Sequence, residues 1–441
     1  MSIIHIESAE NRPWQSAPVQ SCTDEELLTL TGETRQTVLG FGGCFNELGW
    51  EALSLLSGDD RRAVLDDFFG DSLNLTSGRL PIGANDFSLE WYSCDETPDD
   101  LALDHFNIDR DRKYTIPFIR EALKRCPQLH LFASPWSPPT WMKTHRAYNY
   151  GTMRMEPAVL DAYARYFVKF VQAYAGEGIE IAQIHVQNEP VADQKFPSCV
   201  WTGEKLRVFI RDYIGPAFRD AGLSTELWLG TINAPFTDYR GFMDVNFQEF
   251  FDGMVNTVLA DPEARRYLTG VGLQWGGKHV LEPLEAAYPE MRVMQTESEC
   301  GNGLNEWEQA EYIFTLMWQY FRHGAERYTY WNLALQDGGI STWGWKQNSL
   351  ITVNPDSRTY RFQPEYYLMK HFSHFIQPGA RFRPLRGHWA SSALAFENPD
   401  GAIVLCACNG VGYERTLSFR CERGAFSCAI APHTFHTFVL R

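Results

Sequence analysis

Eight short apolar runs, each ending in polar or aromatic residues, alternate with helical patterns along most of this chain, at about 38–46, 78–86, 129–136, 181–190, 227–234, 270–276, 291–298 and 327–335. Between them, residues 161–175 place Tyr163, Phe167, Phe170, Val171 and Tyr174 on one helical face, and Gly176 supplies a stop. Residues 308–323 repeat the theme with Ile313, Met317, Tyr320 and Phe321 before Gly324. Eight strands alternating with helices over roughly 300 residues favour a closed parallel (β/α)8 barrel. An open doubly wound sheet has the same alternation and is the rival.

From about residue 377 the pattern changes. Short alternating runs at 393–397, 402–408, 415–420 and 433–440, with a turn at Asn398-Pro399-Asp400-Gly401, read as an antiparallel β-domain. Residues 26–30 and 34–37 are candidate strands that join it from the other end of the chain. The expected architecture is α/β: residues 1–37 give N-terminal strands of a β-sandwich, 38–376 the barrel, and 377–441 the remainder of the sandwich.

Charge excludes several functions. With 55 acidic against 39 basic residues the net charge is −16, which repels phosphate backbones and anionic membranes, so nucleic acid is not an expected partner. No apolar stretch reaches the roughly 18 residues needed to span a bilayer. Met1 to Pro13 lacks the apolar core of a secretory signal, and the ten cysteines lack metal-ligand spacing. Cys406 and Cys408 lie on one predicted strand. Reduced thiols and a cytoplasmic location are expected.

In a (β/α)8 barrel the chemistry sits where strands end. Strand four ends in Gln187-Asn188-Glu189-Pro190 and strand seven in Gln295-Thr296-Glu297-Ser298. Either glutamate alone is more often a cap or a surface ion pair. Together, across one barrel mouth, they can flank a glycosidic bond. Retaining hydrolysis needs such carboxyls about 5–5.5 Å apart, one attacking the anomeric carbon and one protonating the leaving oxygen. Asn188 is placed to contact the sugar 2-hydroxyl. Arg79 and Asp86, Trp136, Trp275 and Trp331 fall on four other predicted strands at the same mouth, and a flat indole suits the C–H face of a sugar.

Other motifs carry less. Gly40-Phe41-Gly42-Gly43 lacks the Lys-Ser/Thr of a phosphate loop and reads as a tight first-strand end. His145, His185, His279 and His323 have no zinc spacing, and Ser134 and Ser137 lack a nucleophile elbow. Asp109-Arg110-Asp111-Arg112 reads as a solvated helix start.

Gly40-Phe41-Gly42-Gly43, Arg79-Leu80-Pro81, Asn85-Asp86-Phe87-Ser88, Thr97-Pro98-Asp99-Asp100, the run from Ala133 to Trp141, Asn188-Glu189-Pro190 and the run from Trp331 to Leu335 together resemble the glucosylceramidase-like members of glycoside hydrolase family thirty over about 38–376. The resemblance implies a (β/α)8 barrel with a side β-sandwich, retaining hydrolysis of β-linked sugars, and no cofactor. It makes Glu189 the acid/base and Asn188 the 2-hydroxyl contact. Asp86 and Trp136 hold the far hydroxyls, Arg79 supports the site, Trp331 lies at the sugar subsite, and Asn348 is a further polar contact. Counting forward from Pro289 puts the nucleophile at Glu297, with Glu299 already in the loop behind it.

Two departures bear on substrate. Gln274-Trp275-Gly276 stands where the relatives carry His-Trp-Tyr, which weakens the case for a lipid aglycone. The paired N-terminal cysteines of the secreted relatives are missing. The expected activity is an exo-acting β-glucosidase on carbohydrate or glycoside substrates. The alternatives are an endo-β-1,6-glucanase, a β-xylosidase, or a sugar-binding barrel without catalysis.

Overall fold

The computed structural model of the protein describes residues 2–21, 27–233 and 251–441. The barrel strands are β1 (Gly40–Cys44), β2 (Ser77–Ile82), β3 (His130–Pro135), β4 (Gln183–His185), β5 (Glu226–Ile232), β6 (Leu268–Gln274), β7 (Arg292–Glu297) and β8 (Ala325–Asn332). They pair in parallel in chain order, and β8 returns to β1 through pairs such as Tyr328 with Phe41. This closure rules out the open doubly wound sheet. The strands are shorter than the apolar runs because the last residues of each run curl into the mouth. Strand β2 ends four residues before Asp86, and the β4 run continues past His185 as bends through Glu189. Ala234, at the end of the fifth run, lies outside the described residues, as do Cys22 and Glu26.

The glycines of β1 answer to packing. A Cβ on Gly42 would lie 2.2 Å from the Ser77 carbonyl oxygen, and one on Gly43 would lie 2.4 Å from Leu333. These contacts seat β1 between its neighbours, which is why the run is rich in glycine. Outside the barrel, the helix Pro157–Gly176 buries Tyr163, Phe167, Phe170, Val171 and Tyr174 as its periodicity requires. Its reversal uses Gly178 at φ 73° rather than Gly176. The helix Trp307–Arg322 gives way to Gly324 at φ 88°, as expected.

Asp109 to Arg112 are not a solvated helix start. Asp111 is buried and accepts from the hydroxyls of Tyr92 (2.6 Å) and Tyr174 (2.7 Å), Arg110 pairs with the buried Glu47, and the next helix begins at Thr115.

Both chain ends build the second domain, a seven-stranded sheet against a five-stranded one. Ile3–Ala9 lies antiparallel to Thr434–Leu440, with Ile3 opposite Leu440, and turns back through Arg12–Ser16. That hairpin was absent from the sequence expectation. Within the larger sheet, Val404, Cys406, Phe435 and Val439 pack toward the barrel, while Ile403, Leu405, Phe438 and Leu440 face the smaller sheet. Alternation of period two thus serves two cores from one sheet.

Candidate active site

Arg79 enters the barrel from β2 and is fully buried. A buried guanidinium must find acceptors for its donors. Its Nη1 forms an ion pair with Glu297. Its Nη2 donates to Asn188 Oδ1 (2.6 Å), Ser134 Oγ (2.9 Å) and Thr231 Oγ1 (3.1 Å). Trp136 and Trp331 lie 4.4 and 5.3 Å from the guanidinium carbon, ring centroid to carbon. Five strands therefore meet on one cation.

The same bonds orient Asn188. Its Oδ1 also accepts from Gln274 Nε2 (2.7 Å) and Thr231 Oγ1 (3.1 Å), so the amide nitrogen is turned away from Arg79. Glu189, the next residue, is held at φ 44°, a left-handed conformation unusual for glutamate. Its Oε1 accepts from Asn233 Nδ2 at 2.7 Å, and Asn233 is fixed by the Gly276 amide at 2.8 Å. Asp86 is buried, and its Oδ1 has no partner among the described residues.

These groups border a cavity of about 480 Å³ lined by Asp86, Trp136, Glu189, Trp275 and Glu297. Three carboxyls, Asp86 buried and Glu189 and Glu297 partly buried, share the mouth with one buried cation, and burial disfavours the charged form of each. Desolvation raises Glu189, opposed by the Asn233 amide and by Arg79. Asp86 is pushed up to about 7 by desolvation and by the charge of Glu189. Desolvation also raises Glu297, Arg79 opposes it, and Glu189 and Asp86 add to it. Only Glu297 touches the guanidinium. Removing its charge would leave Arg79 buried without that counter-ion, so of the three carboxyls Glu297 is the one whose charge the guanidinium favours most.

Of the residues singled out by sequence, Asp86, Trp136, Glu189, Trp275 and Glu297 line the cavity. Arg79 and Asn188 support it from within the barrel, and Trp331 packs 5.3 Å from Trp136 with the rings tilted by 32°. Asn348 sits elsewhere. It is buried, its amide donates to Glu365 (2.6 Å), and its oxygen accepts from Gly303 N (2.8 Å) and Asn305 N (3.2 Å), so it staples the loop after β7. Gln347 lines the cavity instead. Glu299 also borders the cavity, but its two oxygens accept from Gly301 N (2.9 Å) and Gln309 Nε2 (2.8 Å). Asn233, Phe196, Trp343 and Trp345 were missed. The aromatic pair Trp343 and Trp345 was the visible signal, and its loop position hid its direction.

One cluster of metal-ligating side chains is present among the described residues, in the sandwich: His5, Glu7 and His436. Its groups are engaged with one another and with Arg12: His5 Nε2 meets His436 Nδ1 at 2.9 Å, and Glu7 pairs with Arg12.

Residues 38–376 match the Glycosyl hydrolase family 30 TIM-barrel domain. The chain belongs to glycosyl hydrolase family 30. Lysosomal acid glucosylceramidase of Mus musculus is 29% identical over 446 residues, covering 94% of this chain and 83% of that protein. Among solved structures, SrfJ from Salmonella typhimurium superposes with a TM-score of 0.87 at 24% identity, with all of both chains covered. The endo-beta1,6-glucanase BT3312 gives 0.86 at 25% identity, covering 99% of this chain and 98% of that one. This family 30 protein is therefore a glycoside hydrolase, and the ring of strand-end residues around Arg79 lies within the matched domain.

Proposed function

We propose that this hydrolase is a retaining, exo-acting β-glycosidase of glucosylceramidase-like type, with Glu297 as nucleophile and Glu189 as acid/base. One observation carries the assignment. Two partly buried glutamates border one cavity, and of the two only Glu297 contacts the buried guanidinium. The ionised carboxylate is suited to attack the anomeric carbon. Glu189, raised by burial and held among the described residues by an amide rather than a cation, is suited to protonate the leaving oxygen. Water activated by the then ionised Glu189 releases the sugar from Glu297. The NH2 of Asn188, turned away from Arg79, is available to the 2-hydroxyl, a contact that strengthens as positive charge develops at the anomeric carbon. Asp86, with an unpartnered oxygen, offers an acceptor to a far hydroxyl.

A second reading, endo-hydrolysis of a β-1,6-glucan, is favoured by the likeness to BT3312, which spans nearly both chains. Product sizes from an oligosaccharide ladder separate the two. All nine described cysteines are free thiols, which supports a reducing compartment as the place of action.

The deciding experiment follows the anomer first released from an aryl β-glucoside by NMR. The β-anomer is expected, and the α-anomer would contradict a nucleophilic Glu297. Glu297→Gln is expected to lower kcat by at least about 10⁴-fold. Glu189→Ala should lose most on poor leaving groups and recover with added azide, because azide needs no general base.

A further inference from the structure

Lys143 follows β3 in a place where lysine is rarely found. It is fully buried and forms no ion pair among the described residues. Burying an ammonium is costly unless its donors are used, and here backbone carbonyls use them: Ser198 O at 2.6 Å, Tyr148 O at 2.8 Å and Asn149 O at 3.4 Å. Tyr148 and Asn149 belong to the loop after β3, and Ser198 to the loop after β4.

These two loops are zipped together around the lysine. Ser198 N donates to Tyr148 O (3.0 Å), Tyr150 N to Gln194 O (3.1 Å), Val200 N to Gly151 O (2.9 Å), and Gly151 N to Asp193 Oδ1 (2.8 Å). The second loop then supplies one side of the cavity through residues 191–194 and Phe196. Phe196 packs 5.2 Å from Trp343, and Trp343 stacks 5.1 Å from Trp345. The wall runs from Lys143, through two loops, to the aromatic rim of the site, away from the acidic floor that would hold the glycosyl unit.

We infer that Lys143 is a positioning residue for the leaving-group wall: by tying the loop after β3 to the loop after β4 it sets how tightly the site holds the aglycone. This rests on the glycosidase reading above. The lysine touches neither proposed catalytic carboxyl, so its effect belongs in substrate holding rather than bond breaking. It is also a pH-sensitive tie. Desolvation lowers its pKa to about 8, while Cys199 and Asp193 from the second loop and Glu96 from the segment after β2 act in the opposite direction. Deprotonation leaves two donors for three carbonyls, so the wall loosens as pH rises past that point.

The test uses the full chain and two substrates of one sugar, β-glucosyl fluoride, whose leaving group is a single atom, and 4-methylumbelliferyl β-glucoside, whose aglycone reaches the wall. In Lys143→Met, KM for the umbelliferyl substrate should rise about tenfold with kcat little changed, while KM for the fluoride stays within about twofold. Lys143→Gln, which keeps two donors, should recover most of the loss. In the unsubstituted enzyme, KM for the umbelliferyl substrate alone should climb above about pH 8, and Lys143→Met should flatten that climb. Equal KM increases for both substrates, a fall confined to kcat, or a flat wild-type KM to pH 9.5 or so would overturn the inference. The wild-type profile decides the matter even if Lys143→Met folds poorly. Failure of the unsubstituted enzyme to cleave either substrate would instead remove the glycosidase reading, and this inference with it.

Discussion

At the N-terminal ends of the barrel strands Arg292 bridges Glu226 and Glu326, at 2.6 Å to each, with the buried Arg327 beside them. At the C-terminal ends, among the described residues, Arg79 alone faces Glu297, Glu189 and Asp86. Two cations meet two carboxylates below, and one cation meets three carboxyls above. The balance shows in the pKa values. Burial raises Glu226, but the Trp228 indole and Arg292 more than offset it and leave the group below its usual value. All three carboxyls of the mouth stay raised. A balanced cluster ties strands together. An unbalanced one raises its carboxyls above their ordinary values, which is the kind of shift that proton transfer uses.

The sharpest way to break this comparison is to remove the central cation from each end. Arg79→Met leaves Glu297, Asn188 and Ser134 without their shared donor. Glu297 then gains its proton, and kcat should fall by about 10³-fold, as expected for loss of a preorganised charge. Arg292→Met should cost on the order of 1–3 kcal/mol of stability and leave kcat unchanged. Steady-state kinetics on an aryl β-glucoside with thermal melts of both variants checks this. A comparable kcat loss in Arg292→Met would mean the two ends are not separate in function.

How much of this was legible beforehand depended on whether a residue's role was local. The eight runs and the two helical faces are periodic within short windows, and they emerged as strands and helices close to where they were expected. Glu189, Glu297, Asp86, Trp136 and Trp275 were found because strand ends of a parallel barrel converge by topology. Ile3–Ala9 was not, because its run is short and its partner Thr434–Leu440 lies at the other end of the chain. Asn348 is a substrate contact on the family resemblance, but the course of its loop turns it inward to Glu365 and brings Gln347 to the cavity. Loop direction follows tertiary contacts that no window of sequence contains.

A pH series sharpens the contrast further, because the two ends respond with opposite sign. Asp86 rises from 3.8 to about 7 on folding, so its contribution to stability is complete below about pH 4 and lost as pH climbs through 7. At about 1.4 kcal/mol per unit the span of about three units amounts to on the order of 4 kcal/mol. Asp86→Asn should therefore melt a few degrees above the unsubstituted protein at pH 8 and show little difference at pH 4, while losing glycoside affinity. Glu226 is lowered, so its contribution is present above the ordinary glutamate range and is lost as pH falls through the folded value. Glu226→Gln should shrink the acid-side loss alone. Melting temperatures across pH 3–9 for the two variants give both signs, and an Asp86→Asn curve parallel to the unsubstituted protein's would contradict a protonated carboxyl in the mouth.

The smallest effect is expected two residues beyond the proposed nucleophile. Glu299 borders the same cavity as Glu297, yet its oxygens already hold Gly301 N and Gln309, and it forms no ion pair among the described residues. Glutamine keeps an acceptor for the Gly301 amide, so Glu299→Gln disturbs one contact of the loop and none of the barrel. Its kcat should stay within about threefold of the unsubstituted enzyme, the range of a substitution that strands no buried charge. Glu297→Gln removes the only carboxylate that balances Arg79. If the order were reversed, with Glu299→Gln inactive and Glu297→Gln active, the ion pair to Arg79 would mark a structural carboxylate, and the unbalanced mouth would owe its chemistry to the loop.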